Sequence, residues 1–537
     1  MQTVRGAGRS ESGGKPARLM AMLQVPTPHL RGAGPTLDRT IALFLILFCL
    51  FAPHSITLAQ GALGMALLVW IVKMSVTRTF LALASRLDVP LVALLLLTIL
   101  SAVFSYEPRV SVGKLGSVSL ALTYFLVSHQ VRSLKLVKSL IILLIASCLV
   151  NVGYVFLAKI RGRGLQIVRI CSASPLRAAG LAPGDVILEA NETSVDSLED
   201  LRQIAQAPPL GGAGPARCGA GQPRPSEVRG QQGLTLFVFR PEIYFRRTIP
   251  MASVSDRATL DSLGVDVKPW HQFRAAGFYG WNYFTYAEVL QLLGSLGFGM
   301  WLLWNKKFAL LPMLLLLAVA SIGVAILLTV TRAVWFAFGA ALLAMSLRAA
   351  SKRVALTLVV LGLLAAPVAL KLLQQTRGIP LLQATEPSTS YRLTIWREGI
   401  ALLLSRPRHL LVGVGMDSLK NRWRAWGLFQ GGRLPLGHMH STPIQIALER
   451  GLPALGCFLW WFAAFLALLW QLTGREARAP DHLLAGISLG IFGATIGFLL
   501  SSLVHYNFGD SEVVMIVYFL MGLAVVIQRH QDVKRKM

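Results

Sequence analysis

Long apolar stretches separated by short polar ones dominate this chain. A helix needs about 20 apolar residues to cross a bilayer, and twelve stretches approach or reach that length. The pattern therefore predicts an all-α polytopic membrane protein of about twelve transmembrane helices. The predicted spans are residues 40–58, 60–74, 89–105, 111–129, 136–157, 283–304, 308–328, 333–347, 354–373, 452–470, 482–504 and 513–528.

The composition excludes a soluble globular enzyme. Of the 537 residues, 54% are hydrophobic and only 14% are charged, whereas an average soluble domain has about 25% charged residues. The five cysteines show no CxxC or zinc-like spacing, so metal or redox chemistry through thiols is not expected. A disulfide between Cys171 and Cys218 stays open, because sequence does not reveal connectivity.

Basic residues are distributed unevenly between the connections. There are 52 Lys and Arg against 25 Asp and Glu, a net charge of +27. Lys and Arg near span ends are retained on the cytoplasmic side, and alternate connections hold nearly all the short basic clusters. The clusters therefore indicate orientation rather than nucleic-acid binding. They predict a multi-pass inner-membrane protein with both termini in the cytoplasm and with residues 158–282 and 374–451 outside it.

These assignments divide the chain into seven parts. The two terminal segments are cytoplasmic tails, and two external segments interrupt the spans. The parts are a tail (1–39), helices 1–5 (40–157), a β-rich domain (158–250), helices 6–9 with a connecting segment (251–373), a long cationic loop (374–451), helices 10–12 (452–528) and a tail (529–537).

The first external segment carries a specific motif between short β runs at 165–170 and 234–239. It reads Ala178-Ala-Gly-Leu181, then Pro183-Gly-Asp-Val-Ile-Leu188, then Ser197-Leu-Glu-Asp-Leu-Arg202. This run resembles the bacterial PDZ domain, a small α/β fold that binds peptide C-termini by adding a strand beside a carboxylate-binding loop. The resemblance implies that Arg163, Gly164 and Leu165 form that loop and that the C-terminal peptide of a periplasmic protein is a partner. A packing lid or docking surface is the alternative.

A PDZ domain between spans also suggests an intramembrane metalloprotease. That class needs a His-Glu-x-x-His helix for zinc and its general base, and the sequence contains no His-Glu pair. The class is excluded.

Four groups of residues lie at the predicted external face. The groups are Arg274-Ala-Ala-Gly-Phe-Tyr-Gly-Trp-Asn282, Thr331-Arg332-Ala-Val-Trp335, Tyr391-Arg392-Leu-Thr-Ile-Trp396-Arg397, and His438-Met-His440-Ser-Thr-Pro443 followed by Gly451-Leu-Pro453. Together they resemble the O-antigen ligase family of membrane glycosyltransferases, which transfer glycans from a polyprenyl-diphosphate carrier. The family usually has Asn after its second His, where this chain has Ser441.

The chemistry of these residues suits such a transfer. A Thr442-x-x-Gln445 capping box with Pro443 predicts a short helix that Gly451 ends, which puts His440 just before a helix N-terminus, where an anion is favoured. Two histidines at i and i+2 in an extended segment face the same side. Arg392 and Trp396, four apart, share a helical face.

The resemblance assigns roles to these residues. Transfer from a diphosphate needs a base for the acceptor hydroxyl and cations for the leaving group. By resemblance, His440 is the base, Arg332 and Arg392 hold the diphosphate, and residues 374–451 form a periplasmic catalytic loop. The implied partners are an undecaprenyl-diphosphate-linked glycan donor and a saccharide or lipid A-core acceptor. The substrate-binding candidates are Arg274, Trp396, Arg397, His438, Arg422 and Arg424, and His505, Asp510 and Glu512 are further candidates for lining the cavity.

Several alternatives remain open. A polymerase that extends the lipid-linked chain uses the same chemistry. A lipid-linked saccharide transporter predicts charged or broken segments at mid-span, and a PDZ-bearing membrane scaffold predicts no cationic loop. His-x-His is also a metal-chelating spacing, but no third ligand is evident nearby, so neither a metal nor a cofactor is expected.

Overall fold

A computed structural model of the chain describes residues 33–536, apart from 80–82, 84, 173, 207–232, 241–242, 251–263, 281, 350, 378–386 and 475–480. Cys218 lies outside the described residues, so the disulfide alternative stays untested, and Cys171 is exposed. Each predicted span overlaps a helix. The architecture is polytopic and helical with one small sheet, as the apolar pattern predicts.

The N-terminal half of the bundle precedes the sheet. The fourth predicted span is not one helix, because short helical pieces with a 3₁₀ turn replace it between residues 108 and 130. The helices are α1 (Ala33–Phe51), α2 (Ile56–Thr77), α3 (Asp88–Val103), α4 (Pro108–Gly113), α5 (Leu115–Val118), α6 (Leu122–Gln130) and α7 (Leu134–Arg161).

The sheet follows α7 and is antiparallel throughout, in the order β5-β4-β2-β1-β6, with β3 paired to β2. It continues past the predicted boundary at 250, because β6 pairs with β1 (Leu165 with Pro269). β6 is short and carries charged residues, so it gives no strand signal in the sequence. The elements are β1 (Leu165–Ile170), α8 (Pro175–Ala178), β2 (Val186–Ala190), β3 (Thr193–Ser194), α9 (Leu198–Gln206), β4 (Gly233–Arg240), β5 (Ile243–Pro250) and β6 (Val265–Pro269).

The Pro183-Gly-Asp185 motif has a structural explanation. Asp185 is buried, and its carboxylate accepts hydrogen bonds from Nε and an Nη of Arg240 at the end of β4, both at 2.7 Å. It also accepts from the Ala182 amide at 2.8 Å. One carboxylate therefore ties the turn before β2 to β4, while Leu234, Leu236 and Val238 of β4 fill the core of the domain.

The predicted peptide loop differs from expectation. The Arg163 amide donates to the Trp270 carbonyl at 2.9 Å, and the Gly164 amide donates to Oδ1 of Asp196 at 3.1 Å. β2 and β6 occupy both edges of β1. A peptide strand beside Leu165 would have to take the place of β6, so peptide binding at this loop stays a prediction.

The C-terminal half contains the remaining spans and the long external segment. Within the described residues, nine helical segments are long and apolar enough to cross a membrane. Three further predicted spans fall short: α3 and α12 in length, and α10 because Glu288 and Gln291 lower its hydropathy. The helices are α10 (Tyr283–Leu302), α11 (Leu310–Leu328), α12 (Arg332–Arg348), α13 (Lys352–Arg377), α14 (Pro387–Leu404), α15 (Pro407–Val412), α16 (Ser418–Arg422), α17 (Leu428–Gly432), α18 (Thr442–Arg450), α19 (Leu452–Leu472), α20 (His482–Ser502) and α21 (Ser511–Lys536).

The bundle is centred on α10 and α20, whose backbones approach closely. A Cβ added to Gly490 would lie 2.6 Å from the Cα of Leu296, and one added to Gly299 would lie 2.3 Å from the Gly490 nitrogen. Gly486 and Gly490 form the GxxxG spacing that permits such contacts between membrane helices. This contact fixes the polar residues of α10 beside the end of α20.

Contacts between connecting segments are found at both ends of the bundle. At the end that carries the sheet, which we call the sheet end, the Thr442 amide donates to the His505 carbonyl at 3.2 Å. At the opposite end, Lys138 pairs with Asp481 at 2.6 Å. The sheet, the 387–451 segment and the turn between α20 and α21 thus share one end.

Candidate active site

The His438-Met-His440 segment lies at the sheet end, immediately before α18. Met439 is buried, and its backbone is held on both sides: its amide donates to Oε1 of Gln445 at 2.7 Å, and its carbonyl accepts from Nε1 of Trp396 at 2.6 Å. The histidine rings lie 4.2 Å apart between centroids. Two side chains therefore set the position of both imidazoles.

The two rings face the same side for a reason other than the predicted one. His440 has φ 47°, which is the left-handed region and not an extended strand. Its amide donates to Nδ1 of His438 at 3.1 Å. A tight turn, rather than β alternation, brings the rings together, and backbone strain of this kind is often found at functional sites.

The predicted capping box is wrong, although the short helix α18 is present. Ser441 is the N-cap, with no side-chain capping bond. Thr442 donates through its hydroxyl to the carbonyl of His505 at 3.2 Å and to Oδ1 of Asn507 at 3.0 Å. Gln445 holds Met439 instead of the cap. Both polar side chains therefore fix the surroundings of the histidines rather than the helix end.

Helix α14 supplies the second wall of the site. Tyr391 donates its hydroxyl to the Pro435 carbonyl at 3.0 Å, and its ring lies edge-on to His440 with centroids 5.6 Å apart. The positive charge of Arg392 acts on His440 and on His505. Arg392 and Trp396 therefore both act on the His438–His440 segment, as expected for two residues that share a helical face.

The third wall is the turn after α20. His505 is buried and stacks on Phe284 at 5.1 Å, with the rings inclined by 23°. Its ring centroid lies 6.3 Å from that of His438, and its Nδ1 lies 3.7 Å from a carboxylate oxygen of Glu288. Three histidines thus line one site, two before α18 and one after α20.

Arg274 fixes the turn that precedes Arg332. Its guanidinium donates to the carbonyls of Thr329 and Val330 at 2.9 and 2.8 Å and lies 3.3 Å from the ring centroid of Tyr283. Val330 has φ 53°, which is costly for a β-branched residue. Arg332 begins α12 two residues later, so Arg274 orients the backbone beside a predicted phosphate ligand.

The electrostatics of the three histidines differ. The pKa of His440 is lowered to about 3, most of all by burial, then by the neighbouring His438 and His505, and least by Arg392. Burial and the charge of His505 contribute most to a pKa of about 4 for His438. Burial would lower the pKa of His505 as well, but Glu288 and Asp510 outweigh it and raise that pKa. The site therefore holds two neutral imidazoles and one that favours the charged form.

A cavity of about 260 Å³ opens beside His438. Asp417 lies at its edge, 2.9 Å from Lys114 and 3.0 Å from Lys420, and these two lysines hold the pKa of Asp417 below its usual value although burial opposes them. Glu449 is buried behind it and accepts from the Asp417 amide at 2.9 Å. The polar lining includes Lys114, Asp417, Lys420, His438, Gln445, Glu449, Arg450, Tyr506 and Asp510.

Other predicted site residues have different surroundings. Arg422 pairs with Glu107 at 2.6 Å. Arg424 is exposed and lies 4.8 Å from the Trp423 ring centroid, and Arg397 is exposed on α14. The structure thus brings together His438, His440, Arg392 and Trp396 but does not direct these three arginines toward the histidines.

Glu288 and Lys114 escaped the sequence analysis. Glu288 lies inside an apolar stretch, and an isolated carboxylate in a span is a recognisable signal of function. Lys114 belongs to the weak fourth span and gives no local signal. Within the described part of the chain, no group of three His, Cys, Asp or Glu side chains is arranged to hold a metal ion.

These features define a multi-pass helical membrane protein with an inserted PDZ-type domain and a histidine-arginine site at the sheet end. Comparison with protein families agrees: residues 166–209 match the PDZ domain family, and residues 317–459 match the family described as O-antigen ligase. Both resemblances predicted from the motifs are confirmed over these residues. No curated protein compared with the chain matches it. The ligase match covers α12, α14 and the His-x-His segment, and it supports a membrane enzyme of the ligase type.

Proposed function

We propose that the protein transfers a saccharide from an undecaprenyl-diphosphate-linked donor to an acceptor at the periplasmic face of the inner membrane. The observation that carries the proposal is the convergence of His440, His438 and the charge of Arg392 at one end of a helical bundle. The orientation follows from the basic clusters, which lie at the opposite end. Both termini are cytoplasmic in this arrangement.

His440 is the base of the reaction. The oxygen of an acceptor hydroxyl attacks the anomeric carbon of the donor sugar, and its proton passes to the neutral imidazole of His440. The bond between the anomeric carbon and the phosphate oxygen breaks, and undecaprenyl diphosphate leaves with the electron pair. Lipid-bound diphosphate places negative charge beside His440 and raises its pKa, which brings a weak base closer to the range where proton transfer is efficient.

Arg392 and Arg332 bind the diphosphate. An arginine guanidinium suits phosphate because it donates two parallel hydrogen bonds and stays charged. The cavity beside His438 receives the acceptor, since its mixture of carboxylates, amines and a phenol offers both donors and acceptors for sugar hydroxyls. The reaction uses neither a metal nor a nucleotide sugar in this proposal.

A deletion strain complemented with variants tests the proposal. His440→Ala should abolish glycan transfer at normal expression, whereas His482→Ala, at the opposite end of α20, should restore it. Surface polysaccharide and lipid-linked intermediates are the two measurements. Full transfer by His440→Ala contradicts the assignment of the base.

The intermediates also separate the alternatives. Accumulated long lipid-linked chains without glycan on the acceptor indicate a ligase, whether the acceptor is lipid A-core or another saccharide. Accumulated single-unit intermediates indicate a polymerase. An unchanged glycan profile in the deletion strain would favour a transporter or a PDZ-bearing scaffold over an enzyme of this pathway.

A further inference from the structure

Glu288 is a buried carboxylate near the sheet end of the α10–α20 helix pair. It is 1% exposed and lies on α10, outside the residues that match the ligase family. Burial of a lone carboxylate is expensive, so such a residue is kept in a span for a partner or a function. Its position one helical turn inside the sheet end places it directly behind the histidine site.

The partner of Glu288 is His505. Nδ1 of His505 lies 3.7 Å from Oε1 of Glu288, and in the described part of the chain neither atom has a hydrogen-bond partner. The other oxygen, Oε2, accepts from the Ser501 hydroxyl at 2.8 Å. The carboxylate is therefore held at one oxygen and faces the imidazole with the other.

The pair is tied to the catalytic segment by a continuous set of contacts. Asn507 donates to the Ser501 hydroxyl at 3.0 Å and accepts from the Thr442 hydroxyl at 3.0 Å. Phe284 covers one face of the His505 ring. Because Nδ1 is directed at Glu288, Nε2 is the ring nitrogen left to donate to a ligand in the site.

We propose that Glu288 keeps His505 as an imidazolium, and that His505 donates Nε2–H to the donor diphosphate beside His440. Glu288 is then a positioning residue and His505 a phosphate-binding residue. The inference rests on the proposed function. It gives two of the histidines separate tasks: His440 accepts the proton, and His505 supplies a positive charge that no motif in the ligase match accounts for.

The groups that face His505 set its titration. Glu288 and Asp510 favour the imidazolium, burial opposes it, and the net effect raises its pKa. A group with a raised pKa keeps its charge to a higher pH than an ordinary imidazole and loses it as the pH rises further. Diphosphate affinity should therefore fall as the pH rises through the pKa of His505, whereas phosphate, with its second pKa of about 6, only gains charge over the same change. The charged or titratable neighbours are Glu288 on α10, Asp510 before α21, His438 and His440 before α18, and Arg392 on α14.

Binding of undecaprenyl diphosphate to the purified full-length protein in nanodiscs tests the proposal. Over a profile from pH 6 to 9, wild-type affinity should weaken about tenfold or more between the low-pH and high-pH limits, which is the typical loss for a charged hydrogen bond. His505→Gln should bind about tenfold more weakly than wild type at the low-pH limit and show a flat profile. Glu288→Gln should move the fall in affinity to lower pH. Gln291→Leu, one turn deeper on the same helix, should behave as wild type.

The outcomes separate this inference from the proposed function. Wild-type protein that does not bind undecaprenyl diphosphate overturns both. If the wild-type protein binds undecaprenyl diphosphate and both His505→Gln and Glu288→Gln show the same affinity as wild type at every pH, only the role of the Glu288–His505 pair is overturned. If Glu288→Gln fails to fold, the wild-type and His505→Gln profiles still decide, because a purely structural pair would leave the two profiles parallel.

Discussion

The indole of Trp396 offers the most direct test of how the site is built. Trp396→Phe keeps an aromatic ring on α14 but removes the hydrogen bond to the Met439 carbonyl, 2.6 Å in the native protein. A buried carbonyl left without its donor costs about 1–3 kcal/mol. Since Gln445 still holds the Met439 amide, we expect the lower end of that range, and a tenfold change corresponds to about 1.4 kcal/mol.

The loss should appear in catalysis rather than in binding. Met439 lies between the two histidines, so its release displaces His440, whereas Arg392, the proposed diphosphate ligand, keeps its place on α14. We expect the maximal transfer rate to fall about fivefold to tenfold, with little change in the donor concentration that gives half-maximal rate. The assay is the initial rate of glycan transfer in membranes of the deletion strain that contain equal amounts of each variant.

A matched substitution separates the hydrogen bond from general damage. Trp423→Phe removes an indole that packs against the same apolar cluster as Met439 but leaves the hydrogen bond between Trp396 and Met439 in place. Its rate should stay near that of wild type. If Trp396→Phe keeps the wild-type rate, or if both substitutions lower the rate equally, the reasoning that Trp396 places His440 is refuted.

Two further predictions concern stability. The pKa values of His440 and His438 are lowered to about 3 and about 4, so below pH 6.5 the unfolded state binds protons that the folded state does not, and the free energy of unfolding should fall as the pH drops from 6.5 toward 4. Thermal unfolding in detergent should show a smaller loss of stability for the His438→Asn, His440→Asn double variant than for wild type. Parallel pH profiles of the two proteins would contradict this prediction. Gly490→Ala should destabilise the bundle by about 1–3 kcal/mol, because the added methyl group is overpacked against Leu296. Gly456→Ala should leave stability unchanged, because its methyl group meets open space. Equal unfolding temperatures for the two variants would refute the close approach of α10 and α20.

Local patterns predicted most of the helices, because a bilayer requires long apolar runs wherever a chain crosses it. Local motifs also indicated His440 and Arg392, whose chemistry is visible at short spacing. The pattern failed for the capping box, since Thr442 and Gln445 satisfy the expected signature but bond to His505 and Met439. Hydrogen bonds to residues elsewhere in the fold thus replaced the local capping bonds that the sequence pattern favours.

Contacts between segments that are distant in the chain could not be predicted from the sequence. Glu288 lies on α10 and His505 lies in the turn after α20, and the close contact between α10 and α20 brings them together. The β6 strand also has no local signature, yet it closes the edge of β1 that a peptide would need. In each case the determining interaction joins segments that no motif links.

The position of the PDZ domain in the chain gives it a structural part in the site. The domain lies between α7 and α10, and its last strand leads into the segment that carries Arg274. The Arg163 amide donates to the Trp270 carbonyl, and Lys159 at the end of α7 donates to the His271 carbonyl at 3.0 Å. The segment is thus held between the domain and the bundle before Arg274 reaches the turn that precedes Arg332. A domain clamped in this way orients one wall of the site whether or not it also binds a peptide.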